Sequence, residues 1–422
     1  MARERAASAD LMTTAPAPLG WLRLAGLSAL AFGVGFVVNT IEPAVLGHRI
    51  LELAPATKNT VFGLLTFAGL LVAIAWQPIV GDLSDRTRSR WGRRTPFFVG
   101  GAAAVVVGLL GLALAPTLTG VLALLLLIQV SNNTIQAPGQ ALIPDRVPAG
   151  QRGAAAGWKA AFEILAFVAG RQISGRLVAE GLVVPAVVTA SAVVVVCLLI
   201  VLRVAKESGT GGALPRFSLR QAFTFDRASH PSFLPWFVNR ALIWGGFIAL
   251  STFLLFFVID VLGLPESDAQ RFVGDVSALM GLALLLVAVP AGKLADRIGR
   301  RPMIVASGAL AVVGTALLVA VPTTNAAMVA GAILGLAVGI FLTTSWALAT
   351  QIVPGVEAAR MLGLANIGTA AGSGLARLAG GLIIDPVSQW TGDPAAGYLT
   401  LFVLAGLAFL AGTLAILRAP LD

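Results

Sequence analysis

Long apolar runs occupy most of the chain, separated by short stretches that contain Gly, Pro or charged residues. The run 121–128 contains only Val, Leu, Ala and Ile. About 20 apolar residues cross a bilayer core, and runs that are continuous rather than alternating exclude a transmembrane β-barrel. The pattern predicts an all-α polytopic membrane protein with twelve spans. The predicted spans are 21–46, 58–80, 97–115, 118–139, 154–177, 182–203, 233–262, 272–292, 303–321, 326–352, 361–384 and 397–417.

Composition agrees with this class and excludes several others. The 422 residues are 57% hydrophobic and 12% charged, with a mean hydropathy of +0.90, whereas soluble domains carry about 25% charged residues. The single cysteine, Cys197, cannot form a disulfide within the chain, and two histidines make a dedicated metal site improbable. The sequence contains no phosphate-binding loop and no hydrolase motif. We expect no metal, no cofactor and no enzymatic activity.

Arg and Lys are concentrated in alternate connections between the spans. They cluster at 86–94, 146–152, 203–227 and 293–301. By the positive-inside rule these connections are cytoplasmic, and an even number of spans then places both termini there. The net charge of +9 is thus a topology signal and does not indicate nucleic-acid binding. We expect a multi-pass protein of a bacterial inner membrane, surrounded by lipid and monomeric.

Two pairs of segments repeat about half a chain apart. GDLSDRTRSRWGRRTP begins at Gly81 and GKLADRIGRRPM at Gly292; LIPDRVPAGQRGAAAG begins at Leu142 and QIVPGVEAARMLGLAN at Gln351. Two duplicated six-helix halves are typical of transporters whose site lies between them. The predicted organisation is a cytosolic tail 1–20, a first bundle 21–203, a cytosolic linker 204–232, a second bundle 233–417 and a tail 418–422.

The motif G-x-x-x-D-R-x-G-R-R that begins at Gly292 resembles the signature of the major facilitator superfamily. The first-half version of this motif has an insert and reads SDRTRSRWGRRTPF. Two further segments accompany it, NNTIQAP in span four and ALIPD after that span. Together these segments resemble the glycoside–pentoside–hexuronide cation symporters, and most of all the sucrose transporters. This resemblance extends over the chain after residue 20. It implies a cavity lined by spans 1, 4, 7 and 10.

The two repeated motifs are candidates for a cytoplasmic gate. We expect Gly81 and Gly292 to allow close helix approach, and Asp85 and Asp296 to accept hydrogen bonds at helix N-termini. The arginines would pair with carboxylates or helix C-termini only while that face is closed, which biases one of two states. The alternative is that these charges only set topology. The predicted gate comprises Gly81, Asp85, Arg86, Arg93, Arg94, Gly292, Asp296, Arg297, Arg300 and Arg301.

Span four ends in a polar stripe, QVSNNTIQAPGQ, directly after its most apolar run. Gln129, Asn133, Gln136 and Gln140 are spaced to lie on one helical face, with Asn132 beside them. Amides donate and accept hydrogen bonds, as the hydroxyls of a sugar require. The stripe predicts the wall of a cavity for a neutral polyol, and the alternative is contact between helices.

The resemblance to sucrose transporters breaks down at two of these positions. Those proteins usually carry Asp where this chain has Gln129 and Arg where it has Gln140, at positions associated with proton-coupled sugar movement. Glutamine cannot exchange a proton near neutral pH. The sequence therefore leaves open whether transport is coupled to protons or sodium, or follows the solute gradient alone.

Ionisable residues within the spans are the remaining candidates for coupling, because charges at such depth usually face a cavity or each other. Glu163 lies near the predicted midplane of span five, where burial would favour its protonated form; a static pair with an Arg of a neighbouring helix is the alternative. Glu42, in span one, is expected to pair near the outer surface with His48 or Arg49. Further arginines within spans are Arg171, Arg240 and Arg377.

Other polar residues are predicted to complete the substrate site. In the second half, Trp244 would stack on a sugar face, with helix packing as its alternative. The additional candidates are Asn39, Asn239, Arg240, Thr344 and Asn366.

The sequence predicts a secondary transporter that works by alternating access. Its substrate is predicted to be a small neutral polar solute, a sugar or glycoside. Two alternatives stay open. An exporter of amphipathic drugs or lipids would line its cavity with aromatic and Met side chains rather than amides, and a non-transporting assembly factor on the same fold would need no continuous polar cavity.

Overall fold

The computed structural model describes residues 18–205, 232–352 and 358–420. Nearly all of the predicted tail 1–20 and of the predicted linker 204–232 lies outside these ranges. Within them the chain is helical, and we number the twelve long helices that the described residues form as α1–α12. They are α1 (Trp21–Leu53), α2 (Lys58–Arg86), α3 (Thr95–Leu114), α4 (Leu118–Gln140), α5 (Arg152–Ala179), α6 (Val183–Val204), α7 (Phe233–Thr252, continued after a break by Leu254–Asp260), α8 (Glu266–Ile298), α9 (Arg300–Ala320), α10 (Thr324–Ile352), α11 (Ala358–Thr391) and α12 (Pro394–Leu417).

Ten of these helices in the described part of the chain are long and apolar enough to span a membrane. The other two are α5 and α11, which carry ionisable residues such as Arg171 and Arg377 within their length. The twelve helices correspond one to one with the twelve predicted spans, although several extend further than predicted. The largest extension is α8, which runs from Glu266 to Ile298 rather than 272–292.

Two helices depart from regular α geometry near one end. In α1, residues Ile41–Leu46 form a π-helical segment that contains Pro43, which has no N–H to donate to the helical hydrogen-bond ladder. α7 breaks at Phe253 between Thr252 and Leu254. Both irregularities lie at the equivalent place in their halves, towards the end of the first helix.

The glycine of each repeated G-R-R sequence makes a turn that other residues rarely adopt. Gly92 has φ of 101° and Gly299 has φ of 95°, values in the left-handed region that favour glycine. Each one directly precedes an arginine pair and turns the chain from one spanning helix to the next. The duplicated motif therefore repeats a backbone conformation as well as charge.

The helix packing of the first half is repeated in the second. α1 packs on α5 and α6, as α7 packs on α11 and α12; α4 packs on α2 and α3, as α10 packs on α8 and α9. The halves meet mainly along α2 with α11 and α5 with α8. Along the first seam α2 and α11 cross at two glycines, where a Cβ added to Gly63 would lie 2.7 Å from the Cα of Gly381.

The two ends of the bundle differ in charge. We call the end that holds the α2–α3, α4–α5 and α8–α9 connections the basic end, because the repeated arginines lie there. The end with the α1–α2, α7–α8 and α11–α12 connections is the opposite end.

Candidate substrate cavity

A cavity of about 350 Å³ lies between the halves, walled mainly by α1, α2, α4 and α5. It extends from Glu42 and Arg377, deep between the halves, to Gln140 and Lys159 near the basic end. Arg377 is the one lining residue that the described part of the second half contributes.

All five amides of the α4 stripe line this cavity. They are Gln129, Asn132, Asn133, Gln136 and Gln140. Asn39 of α1 joins them at the wall. Thr134, which directly follows Asn133 on α4, faces away from the cavity and accepts a hydrogen bond from the Trp76 indole of α2 at 2.8 Å. The stripe thus faces an open space, while Ile128 and Ile135 on the opposite face of the helix pack on glycines of α3.

One side-chain oxygen of the stripe has no hydrogen-bond partner among the described residues. Asn133, which lines the cavity, donates to the Gln129 carbonyl at 2.8 Å. The side-chain oxygen of Asn132 is buried and has no hydrogen-bond partner in the described structure. A buried acceptor without a partner is costly.

Glu42 does not pair with its sequence neighbours, so the expectation of a bond to His48 or Arg49 is wrong. Its two carboxylate oxygens lie 2.9 and 2.8 Å from Arg377 Nη2 of α11. His48 instead bonds Glu266 at 2.7 Å, and Arg49 bonds Glu52. Within the π-helical segment Glu42 faces the cavity, and the partner comes from the other half.

Glu163 is less enclosed than predicted. Its side chain is 49% exposed and lies 2.8 Å from Lys159, one turn earlier on α5. The predicted alternative, an ion pair, is thus the observed state, with a Lys of the same helix in place of an Arg of a neighbouring one. Because the helix positions these residues four apart, the pair forms without tertiary contacts.

Arg171 is a buried cation at the junction of the two halves. It donates to Asn39 of its own half at 3.3 Å, and to Ser251 and Ser277 of the other half at 3.0 and 3.4 Å. Its guanidinium also lies 4.6 Å from the ring centroid of Phe167. No carboxylate of the described residues lies within ion-pair distance of it. Arg171 and Arg377 were visible in the sequence as charges within apolar spans, but spacing could not show which carboxylate they approach.

Four of the five substrate-site candidates of the second half are described, and none of these four lines the cavity. Asn239 is fully buried and donates to the Gly412 carbonyl of α12 at 2.9 Å. Arg240 bonds Thr369 at 2.9 Å and lies over the Trp346 ring. Trp244 packs on the hydrophobic core, which is the alternative given for it. Thr344 is fully buried and bonds the Ile340 carbonyl of its own helix. The side chain of Asn366 lies outside the described residues.

A family model described as MFS/sugar transport protein matches residues 54–417. The chain belongs to this family. It is therefore a membrane transporter and not an enzyme, and the resemblance drawn from the repeated motifs is confirmed.

The transporter is similar in sequence to plant sucrose transport proteins. It is 33% identical over 162 residues to sucrose transport protein SUT1 of rice, Oryza sativa subsp. japonica, over 32% of this chain and 29% of the rice protein. It is 28% identical over 141 residues to sucrose transport protein SUC4 of Arabidopsis thaliana, over 29% of this chain and 26% of that protein. The match thus spans less than a third of the length of either relative.

Solved transporters share the fold of this MFS/sugar transport protein. A crystal structure of a mutant of nucleoside transporter NupG superposes with a TM-score of 0.74 at 14% identity, covering 95% of this chain and 100% of that one. A bacterial homolog of the human lysosomal transporter Spinster, in an inward-facing and unoccupied conformation, gives 0.70 at 16% identity, covering 94% and 96%. The prediction of an all-α polytopic membrane protein is confirmed.

Polar contacts join the halves of the transporter at the opposite end. Lys58 of α2 pairs with Asp260 at 2.8 Å, and Asn59 donates to Asp385 of α11 at 2.8 Å. Tyr398 of α12 donates to Asp260 at 2.5 Å and bonds Asn59. None of these five residues lines the cavity.

At the basic end the arginines of the predicted first-half gate pair with carboxylates of the same half. Arg94 is buried, lies 3.2 Å from Asp85 and 2.6 Å from Asp145, and donates to the Pro138 carbonyl at the end of α4 at 2.9 Å. Burial lowers the pKa of the Arg94 guanidinium, and Asp145 opposes that shift. Arg93 also pairs with Asp145. Arg86 pairs with Asp82.

The remaining predicted gate residues differ in their contacts and exposure. Gly81 faces open space, so the expectation that it permits a close helix approach is wrong in this conformation. A Cβ added to Gly292 would lie 3.4 Å from Thr343 of α10, an ordinary contact. Arg300 donates to the Ala347 carbonyl near the end of α10. Asp296 and Arg297 are exposed, and Arg301 is half-buried.

Proposed function

We propose that this transporter moves a small neutral polar solute, a sugar or glycoside, by alternating access of the cavity between its halves. The observation that carries the proposal is the α4 stripe, whose five amides all face the cavity. Amide groups match the donor and acceptor pattern of sugar hydroxyls, and a dry site penalises solutes that leave such groups unpaired. The matched plant proteins, described as sucrose transport proteins, support the same substrate class.

The cavity lining argues against export of amphipathic drugs or lipids. Among the described residues that line it, none is aromatic and none is Met. Adaptable apolar binding surfaces are rich in these residues.

We further propose that transport is not coupled to protons. Both carboxylates of the cavity wall already have a cation beside them, Glu42 with Arg377 and Glu163 with Lys159. A neighbouring cation favours the ionised carboxylate and disfavours proton uptake. The two glutamines at positions 129 and 140 supply no titratable group in their place.

The membrane orientation follows from charge. We propose that the basic end, with both termini, faces the cytoplasm of a bacterial inner membrane. The conformation described is then closed on the outside and open to the cytoplasm, and the protein functions as a monomer.

Uptake into liposomes tests these proposals. The purified protein is reconstituted and given a panel of labelled mono- and disaccharides, glycosides, nucleosides and amphipathic dyes, each with and without an inward pH gradient. We expect saturable uptake of at least one sugar or glycoside, equal in rate with and without the gradient. Accumulation of dyes alone would support the exporter, and movement of nothing in the panel would support a non-transporting protein.

A further inference from the structure

We infer that Glu42 exchanges arginine partners during transport, bonding Arg377 of the other half in the conformation described and Arg171 of its own half when the opposite end opens. This inference rests on the proposed alternating access. It assigns Arg171 a role as a positioning residue that receives the carboxylate in the second conformation.

The pair that exists now connects the two halves. Glu42 belongs to α1 and Arg377 to α11, and their side chains are 18% and 12% exposed, respectively. If the halves part at the opposite end, α1 and α11 must separate at this level. A carboxylate left without a partner in such a place is strongly unfavourable. Glu42 therefore needs a second cation within its own half.

Arg171 meets the requirements of that second cation. It bonds Asn39, which lies one helical turn before Glu42 on α1, at 3.3 Å. α1 and α5 are in direct contact here, because a Cβ added to Gly170 would lie 2.8 Å from Cβ of Asn39. Opening leaves this contact intact, since both helices belong to the first half.

The same opening would also release Arg171. Its hydrogen bonds to Ser251 and Ser277 cross to the second half, so parting of the halves breaks both. The movement that separates Glu42 from Arg377 therefore also removes two hydrogen-bond partners of Arg171. Glu42 then lacks a cation, and Arg171 retains Asn39 of its three described hydrogen-bond partners. An ion pair between these two groups of the first half would satisfy both.

The exchange allows the halves to move without a proton. Glu42 remains ionised and bonded to one arginine or the other, so neither conformation contains an isolated buried carboxylate. The two arginines should therefore bias the conformational equilibrium in opposite directions, since each stabilises a different state through the same carboxylate.

Spin-label distances across the opposite end test this inference independently of any solute. Ala56 and Gln389 are exposed, and lie on different halves beside the Asn59–Asp385 bond. Each is replaced by Cys for labelling in a chain that also carries Cys197→Ser. In this labelled protein, Arg377→Gln should raise the ratio of long to short distances roughly tenfold or more, as expected for loss of a close charge pair.

The contribution of Arg171 is measured after its present bonds have been removed. In a background of Arg377→Gln, Ser251→Ala and Ser277→Ala, adding Arg171→Gln should lower the ratio of long to short distances by roughly tenfold, because the open state loses its ion pair. An unchanged ratio, or a further rise, would overturn the exchange. Arg152→Gln is the matched control on the same helix, because its bonds to the Val147 and Pro144 carbonyls stay within the first half.

This experiment separates failure of the exchange from failure of the sugar proposal. The distances are recorded without solute, so the arginine effects appear whatever the substrate is. If the sugar panel fails while the two arginines act oppositely, the exchange stands and the substrate class is wrong. If uptake succeeds and Arg171→Gln does not lower the ratio in the stated background, the substrate class stands and the exchange is wrong.

Discussion

The side-chain amide of Asn59 on α2 donates to Asp385 on α11 at 2.8 Å, and both side chains are buried. Asp385 also accepts from the backbone N–H of Thr60 at 2.7 Å. A carboxylate of the second half is thus bonded to two N–H groups of the first. If the halves part at the opposite end as proposed, both hydrogen bonds are lost.

Replacing this carboxylate should favour the conformation that is open at the opposite end. We expect Asp385→Ala to cost the closed state about 2–3 kcal/mol, since the Asn59 and Thr60 donors lose a charged acceptor. Spin labels at positions 56 and 389 would report longer distances. Ser388→Ala is the control. Ser388 lies three residues after Asp385 on α11 and bonds the Pro394 carbonyl of its own half, so this change should leave the distances unchanged.

The amide stripe should be necessary for solute binding. The double variant Asn133→Leu/Gln136→Leu removes two cavity-facing amides, and we expect solute affinity to fall about tenfold to a hundredfold, at roughly 1 kcal/mol for each hydrogen bond lost. Scintillation proximity binding of the labelled solute measures it. Thr134→Val changes the face of α4 that contacts Trp76 and should bind normally. Unaltered affinity in the double variant would make the stripe a packing feature.

The glycine crossing of α2 and α11 should tolerate no side chain while the opposite end is closed. A Cβ on Gly63 would lie 2.6 Å from the Arg377 carbonyl, so Gly63→Ala should destabilise the closed conformation by about 1–3 kcal/mol through overpacking. Thermal unfolding in detergent measures the loss. Gly100→Ala on α3 meets no atom within 4 Å and should be neutral or slightly stabilising. Equal melting temperatures for the two variants would contradict the close approach of α2 and α11 at Gly63.

Arg94 should contribute to stability more than its neighbours in the same cluster. Arg94 is buried and pairs with Asp85 and Asp145, which are 30% and 33% exposed. Arg94→Ala removes this cation from both carboxylates, although Asp145 keeps Arg93, and should cost about 2 kcal/mol. Arg88→Ala removes an exposed arginine of the same connection and should cost under about 0.5 kcal/mol. Chemical denaturation of the two variants distinguishes a structural anchor from a charge that only sets topology.

The paired state of Glu163 predicts a transport rate that does not respond to a pH gradient. Glu163→Gln removes the carboxylate but not the cavity, so uptake should keep the same response to the gradient as the parent protein. Lys159→Gln provides the matched control, because it leaves Glu163 without its cation. Gradient-driven accumulation in the parent that disappears in Glu163→Gln would make this residue a proton carrier after all.

Sequence reasoning succeeded where the relevant information lies within one helix. The twelve spans and the common face of the α4 amides follow from hydropathy and from a period of 3.6 residues, which neighbours on the same chain segment fix. It failed where a partner comes from elsewhere. Glu42 was expected to pair with His48 or Arg49, but its partner is Arg377, and no local rule relates residues on α1 and α11.

The sequence by itself therefore determined the class, the number of helices, the duplicated architecture and the polar wall of α4. Only the tertiary structure decided which charges meet, that Asn239 and Thr344 face their own half, and that the opposite end is the closed one. The physical reason is that the backbone hydrogen bonds of a helix join residues only four positions apart, so the local sequence is enough to predict each helix. The contacts between halves instead depend on how two nearly equivalent bundles pack, and two packings of the same helices can differ by only a few kcal/mol.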